Sequence, residues 1–159
     1  MILPIVTEPN PILRRLALPI NEELFGSEKL KKLADNLAET MRAKDGVGMA
    51  APQIDESLRL CVIAKAGANG ADLFLVNPEW EKISRGRDWG EEGCLSVPDV
   101  FGQVQRWKKI RLKARGLDGE WLELVLEKFP ARVVQHEVDH LDGILFIDKS
   151  KDIRRTDKI

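Results

Sequence analysis

Two histidines occur among the 159 residues, and they stand four apart, at His136 and His140. Glu137 lies between them, so Gln135-His136-Glu137-Val138-Asp139-His140 reads H-E-x-x-H. On a helix, residues four apart share a face, so both imidazoles can reach one metal ion. Glu137 can then address a water bound to that ion and take its proton. With two histidines and 14 glutamates in the chain, chance produces this arrangement roughly once in 900 placements. The plain alternative is a helix carrying two exposed histidines among ordinary charges. Val133, Val134 and Leu141 argue against it, because they put this helix in the core. Imidazoles and a carboxylate are costly there unless something such as a divalent ion compensates them.

Two histidines do not complete a catalytic centre, which normally takes a third protein ligand and keeps one position open. Asp139, Asp142 and Asp148 are candidates nearby, and Cys94, in Glu91-Glu92-Gly93-Cys94-Leu95-Ser96-Val97-Pro98, is another. Asp139 is adjacent to His140 and cannot share its direction, so it is expected to orient a histidine or face solvent. Cys94, beside a glycine on a short irregular segment, is open to an ion. Cys61 sits mid-strand among Leu60, Val62 and Ile63 and reads as a small buried apolar residue.

The elements that must position these groups follow from periodicity. Pro4, Pro9, Pro11 and Pro19 forbid a continuous helix over the first twenty residues, which read as an extended arm wrapping the surface. From Ser27 to about Lys44, Leu30, Leu33, Ala34, Leu37, Ala38 and Met41 recur at helical spacing, with Ser27 placed to cap and Asp45-Gly46 to end the helix. Residues 45–53 are too rich in glycine, and too interrupted by proline, for a long regular element. Strands are expected over Leu58–Lys65 and Leu73–Val76. A hairpin is expected where Ile110, Leu112 and Ala114 alternate with Arg111, Lys113 and Arg115, turn at Asp118-Gly119, and meet Leu122, Leu124 and Leu126. The H-E-x-x-H helix should begin near Pro130 and end at Gly143. Few helices and hairpin links imply an α+β fold, with antiparallel sheets packed around a central metal-binding helix and one further helix near the N-terminus.

Composition bounds the function. The length suits one domain, residues 1–159, ending in a short charged tail over 148–159. Twenty-five Lys and Arg against 26 Asp and Glu leave a formal charge of −1, which argues against a protein whose main work is gripping nucleic acid. No run of 18 apolar residues is present to cross a membrane. The N-terminus lacks a basic region ahead of an apolar core, so no secretory signal is expected. Two cysteines suit a reducing compartment, and a cytoplasmic setting is the expectation.

Three segments, Gly46-Val47-Gly48-Met49-Ala50-Ala51-Pro52-Gln53, Glu92-Gly93-Cys94-Leu95-Ser96 and Gln135-His136-Glu137-Val138-Asp139-His140-Leu141, resemble the three signature motifs of the peptide deformylases, in the family's order. The likeness extends to the arm with its Pro-Ile-Leu-Arg and over nearly the whole chain. It implies that Cys94, His136 and His140 ligate the metal and that Glu137 is the general acid and base. The implied ion is ferrous iron, with zinc, nickel or cobalt as possible occupants. One thiolate with two imidazoles agrees with these and not with magnesium or calcium.

The implied reaction is hydrolysis of the formyl group on the N-terminal formylmethionine of new polypeptides, giving formate and a free amine. The resemblance gives the developing oxyanion to the metal, the Leu95 N–H and the Gln53 side-chain amide. It places the substrate between the first two motifs, paired main chain to main chain, with Gly46, Gly48 and Gly93 permitting close approach. Val47 and Val133 are expected to wall the methionine pocket, and Glu92 to pair with Arg106 behind the cysteine loop. The ribosome is a further partner that the resemblance implies, and the 19 residues that follow His140, short of the C-terminal helix that many bacterial members use there, put that docking mode in doubt. The rivals are an H-E-x-x-H metallopeptidase and a non-catalytic metal-binding module of the same fold. The first would need a further His or Glu as third ligand, and no third His exists. The second would be expected to lose Glu137, Gln53 or Cys94, and all three are present.

Overall fold

The computed structural model describes residues 1–156. In chain order the elements are α1 (Glu28–Ala43), β1 (Gly48–Ala50), β2 (Leu60–Ile63), β3 (Leu73–Lys82), β4 (Arg87–Cys94), β5 (Val97–Trp107), β6 (Lys109–Arg115), β7 (Trp121–Glu127), α2 (Lys128–Leu141) and β8 (Ser150–Arg155). Two antiparallel sheets result, one ordered β1-β2-β3-β6-β7 and one ordered β4-β5-β8.

The large sheet is covered by α2 on one face and, at its β1–β2 end, by α1 on the other. Strand side chains alternate, so Cys61, Ile63 and Leu75 turn to α2, where they meet Ala131, Val133, Val134, Val138 and Leu141. Leu60, Val62 and Val76 turn the other way, to Leu30, Ala34, Leu37, Ala38 and Met41 of α1. That double cover explains why β2 is an unbroken apolar run. A third cluster joins Ile12 and Leu13 to Val97, Val100, Val104, Leu145 and Phe146 beneath the small sheet. Helix α1 begins as its sequence dictates, with the Ser27 Oγ accepting the Leu30 N–H at 3.1 Å.

The structure departs from the sequence expectations in five places. The glycine-rich segment 45–53 contains a real strand, β1, followed by a short 3-10 turn over Ala51–Ile54. Strand β3 continues past Val76 to Lys82, absorbing Pro78 through a register shift between Val76 and Glu79. Cys94 is not on an irregular segment: it ends β4, in a long hairpin with β5 that the sequence reading did not anticipate. Helix α2 starts at Lys128, two residues ahead of Pro130. The charged tail is largely strand, because Ser150–Arg155 pairs with β5, while residues 157–159 lie outside the described residues.

Gly143 ends α2 in the left-handed region, at φ +74°, and a Cβ there would lie 2.6 Å from the Arg14 carbonyl oxygen. The turn therefore seats the N-terminal arm as well as stopping the helix. Gly143→Ala is expected to cost roughly 1–3 kcal/mol of stability, from the φ penalty and the displaced arm, read as a lowered denaturant midpoint at unchanged slope.

Candidate metal centre and active site

Helix α2 presents Arg132, His136 and His140 on one face, four residues apart, and β4 presents Gly90, Glu92 and Cys94 on one face, two apart. Four helical residues rise about 6.0 Å and two strand residues about 6.6–6.8 Å, so the two rows stay nearly in step. His140 Nε2 lies 3.3 Å from Cys94 Sγ, and His136 Nδ1 lies 2.8 Å from Glu92 Oε1. A Cβ on Gly90 would lie 2.8 Å from the Arg132 guanidinium carbon.

The ligand atoms of Cys94, His136 and His140 all fall within 4.8 Å of one another. A tetrahedral ion bonded at about 2.0–2.3 Å would hold its ligands ~3.3–3.8 Å apart, so these three fit one with little movement. Two further observations fit an ion. Glu137 Oε2 is buried without a hydrogen-bond partner beside the triad, where a base for an ion-bound water is needed, and the donor set of one sulfur and two imidazoles is that of a transition-metal site. The competing aspartates are engaged elsewhere: Asp142 pairs with Arg59 at 2.8 Å, and Asp148 with Arg14 at 2.5 Å. Contrary to the sequence expectation, Asp139 neither orients a histidine nor faces solvent. It is buried and pairs with Arg106 at 2.5 Å and Lys149 at 3.1 Å.

The groups around the triad come from separate elements. Glu137, only 3% exposed, lies with its carboxylate against β1, where a Cβ on Gly48 would approach Glu137 Oε1 and Val133 Cγ1 to 2.9 Å. Gly48 is thus required by the protein's own packing and not by substrate approach alone. Gln53 is buried in the turn after β1, and its Oε1 accepts the Ala50 N–H at 2.9 Å. Its amide nitrogen donates to Ser96 Oγ at 3.1 Å and faces Cys94 Sγ at 3.6 Å. Leu95 follows Cys94 in the turn, and the Ser96 N–H donates to Cys94 Sγ at 3.4 Å. A cavity of about 480 Å³ opens over the centre, lined among others by Val47, Gly48, Gln53, Gly93, Leu95, Phe129, Val133 and Glu137. Cys94, His136, Glu137, Gln53, Leu95 and the expected substrate contacts Val47, Gly48, Gly93 and Val133 therefore line one space, with His140 against Cys94 behind it. Arg132, at the cavity wall, and Ser96, hydrogen-bonded to Gln53 and Cys94, join them unanticipated. Of these, Arg132 carried a readable signal, standing one helical turn ahead of His136.

Electrostatics sharpen the picture. Burial alone would raise the Cys94 thiol, but the charge of His140 and hydrogen bonds from both imidazoles hold it well below its usual range, as a thiolate. Burial would likewise depress His136, yet hydrogen bonds to Cys94 and Glu92 raise it from 6.5 to about 10. Burial raises Glu137 against the pull of both imidazoles. Glu92 moves the other way: burial is outweighed by hydrogen bonds from Arg106 and His136, so its carboxyl stays well below the ordinary range. The Glu92–Arg106 pair anticipated from the sequence is present, with contacts of 3.0 and 2.9 Å. In the metal-free protein at pH 8, below the His136 pKa, that ring carries a proton which a cation must displace. Addition of Zn(II) at pH 8 is expected to release about one proton per site, and affinity to rise with pH up to about 10. An indicator dye in weak buffer measures the release.

The sequence profile described as polypeptide deformylase matches residues 2–156. A peptide deformylase of Acidobacterium capsulatum is 44% identical over 158 residues, covering 98% of this chain and 90% of that protein. Among solved structures, a class I type b peptide deformylase from Acinetobacter baumannii with Met-Ala-Ser bound aligns with a TM-score of 0.88 at 41% identity, over 94% of this chain and 98% of that one. The peptide deformylase of Thermotoga maritima gives 0.87 at 40%, over 95% and 99%. With the fold, the H-E-x-x-H helix and the sequence agreeing along nearly the whole length, the chain belongs to the polypeptide deformylase family.

Proposed function

We propose that this chain, acting over its whole length as one catalytic domain, hydrolyses the formyl group from the N-terminal formylmethionine of newly made polypeptides. One observation carries this: a sulfur and two imidazoles converge beside a buried, half-unpartnered carboxylate, Glu137, at a cavity between the sheet edges β1 and β4. Cys94, His136 and His140 would hold a divalent ion, for which we propose Fe(II), with Zn, Ni or Co able to replace it. Such an ion, when bound, supplies Lewis acidity toward water and the formyl oxygen.

The chain's own groups do the rest. Glu137 takes a proton from the attacking water as its oxygen bonds to the formyl carbon. The carbonyl oxygen becomes an oxyanion, and the Leu95 N–H and the Gln53 amide are its donors. Gln53 is held in place for this by the Ala50 N–H on its oxygen; one amide hydrogen stays on Ser96 Oγ, and the other, which faces Cys94 Sγ at 3.6 Å, is the one that turns to the oxyanion. Glu137 then returns the proton to the departing nitrogen as the C–N bond breaks, leaving formate and a free amine. Its raised pKa suits that return, since a proton is held more readily than on an exposed carboxylate.

The edges of β1 and β4 leave main-chain groups for an extended peptide, and Val47 and Val133 wall the space for the methionine side chain. Main-chain pairing tolerates varied sequence beyond the first residue, as an enzyme serving many proteins requires. The Met-Ala-Ser complex of the Acinetobacter baumannii relative supports this, being the peptide that formyl-Met-Ala-Ser would leave. The working compartment is proposed to be a bacterial-type cytoplasm. No helix among the described residues is long and apolar enough to cross a membrane. Residues 150–155 are committed to the small sheet as β8, so they are not offered as a docking helix for the ribosome.

Formate release from formyl-Met-Ala-Ser, measured anaerobically with Fe(II) or Ni(II), tests the proposal. Glu137→Gln is expected to lower kcat about 10²–10⁴-fold at unchanged metal content, and an undiminished rate would overturn the mechanism. Gln53→Ala is expected to lower kcat about 10²–10³-fold with a smaller effect on KM, as loss of a transition-state donor does.

A further inference from the structure

Glu92 is hydrogen-bonded on every side. Oε1 accepts from His136 Nδ1 at 2.8 Å and from Arg106 at 2.9 Å, while Oε2 accepts from Arg106 at 3.0 Å and from Arg132 at 2.7 Å. Four contacts fill the acceptor sites of a carboxylate, so it can neither slide nor rotate without losing one. Arg106 already grips both oxygens from β5, and its other end is held by Asp139. Arg132 adds something Arg106 does not. It comes from α2, and two further donors close on the backbone carbonyls of Val104 in β5 at 2.9 Å and Asp88 in β4 at 2.8 Å.

Its guanidinium is seated over Gly90, where a Cβ would approach within 2.8–3.0 Å of three of its atoms and push it off these hydrogen bonds. Gly90 stands two residues before Glu92, and Arg132 one turn before His136. The Arg132–Gly90 seat is therefore the first rung of the helix–strand ladder whose next rungs are His136–Glu92 and His140–Cys94. A shift of α2 along β4 would break all three rungs together.

We propose that Arg132 is a positioning residue that sets the register of α2 on β4, and thereby the spacing of Cys94 from His136 and His140, without touching the reacting atoms. This rests on those three residues being the metal ligands. A purely local role, as a wall of the substrate cavity that Arg132 also lines, would affect peptide binding alone.

The test uses Co(II) as probe, its affinity read by competition with a chromophoric chelator, beside kcat and KM for formyl-Met-Ala-Ser. Arg132→Met keeps the stem and removes the fork. Co(II) affinity is expected to fall about 10–100-fold, and kcat by more than KM rises. Arg132→Lys, which can meet Glu92 but cannot fork onto two carbonyls, is expected to recover only part of the loss. Co(II) affinity equal to the parent's in Arg132→Met, with KM alone raised, would overturn the proposal, as would complete rescue by lysine. If Arg132→Met does not fold, Gly90→Ala decides, because it leaves every hydrogen-bonding group in place and fills only the seat. Weakened Co(II) binding supports the register role, and parental binding overturns it. A parent protein that binds Co(II) but releases no formate would sink the proposed activity and leave this test standing.

Discussion

A charge taken out of water must find compensation at once or the fold does not persist, and at the centre of this molecule several are buried together. Glu92, Arg106 and Asp139 are all nearly inaccessible, and Arg132 and His136 close the set. Isolated, any one of these would cost several kcal/mol; joined in one network, each supplies the others' counter-charge. Because its members come from β4, β5 and α2, the network forms only when the small sheet and the helix are docked. The geometry of the proposed metal ligands is a by-product of that condition: Cys94 is two residues from Glu92, and His140 is next to Asp139.

The same arrangement explains why the site lies where it does. The two sheets turn edge strands, β1 and β4, toward one cavity. An unpaired edge is normally a liability, since it invites pairing with another chain. Here the edges are short or glycine-bearing, and the space between them is floored by Glu137 and the imidazoles. A chain that pairs there is brought to chemistry rather than to aggregation.

Glycine has a different reason at each place in the site. At Gly48 the room a side chain would need is taken by Glu137 and Val133, at Gly90 by Arg132, and at Gly93 by the Phe101 ring, 2.7 Å from the place a Cβ would occupy. At Gly48 and Gly90 this lets α2 carry large polar side chains directly against a strand, and at Gly93 it makes room for a ring from β5.

Helix α1, the β6–β7 hairpin and the H-E-x-x-H helix were legible in the sequence, because each buries an apolar stripe against a core, and a stripe of period 3.6 or 2 is a local property. The pairing of Glu92 with Arg106 was legible only as a suggestion. The β4–β5 hairpin was not, because the inward positions of β4 are Gly90, Glu92 and Cys94: the alternation that marks a strand is there one of buried polar groups, which a hydrophobic pattern does not register. Strand β8 was hidden for a similar reason, its residues being almost all charged and exposed, so that only the free edge of β5 makes it a strand. Asp139 looked like a histidine's orienting partner because sequence shows who stands next to whom along a helix, not what faces that helix across a gap. The types and spacing of the chemical groups were thus determined by the sequence itself, while their convergence, the fate of each buried charge and the register of helix on strand were decided by tertiary packing, since those depend on contacts between residues some forty positions apart.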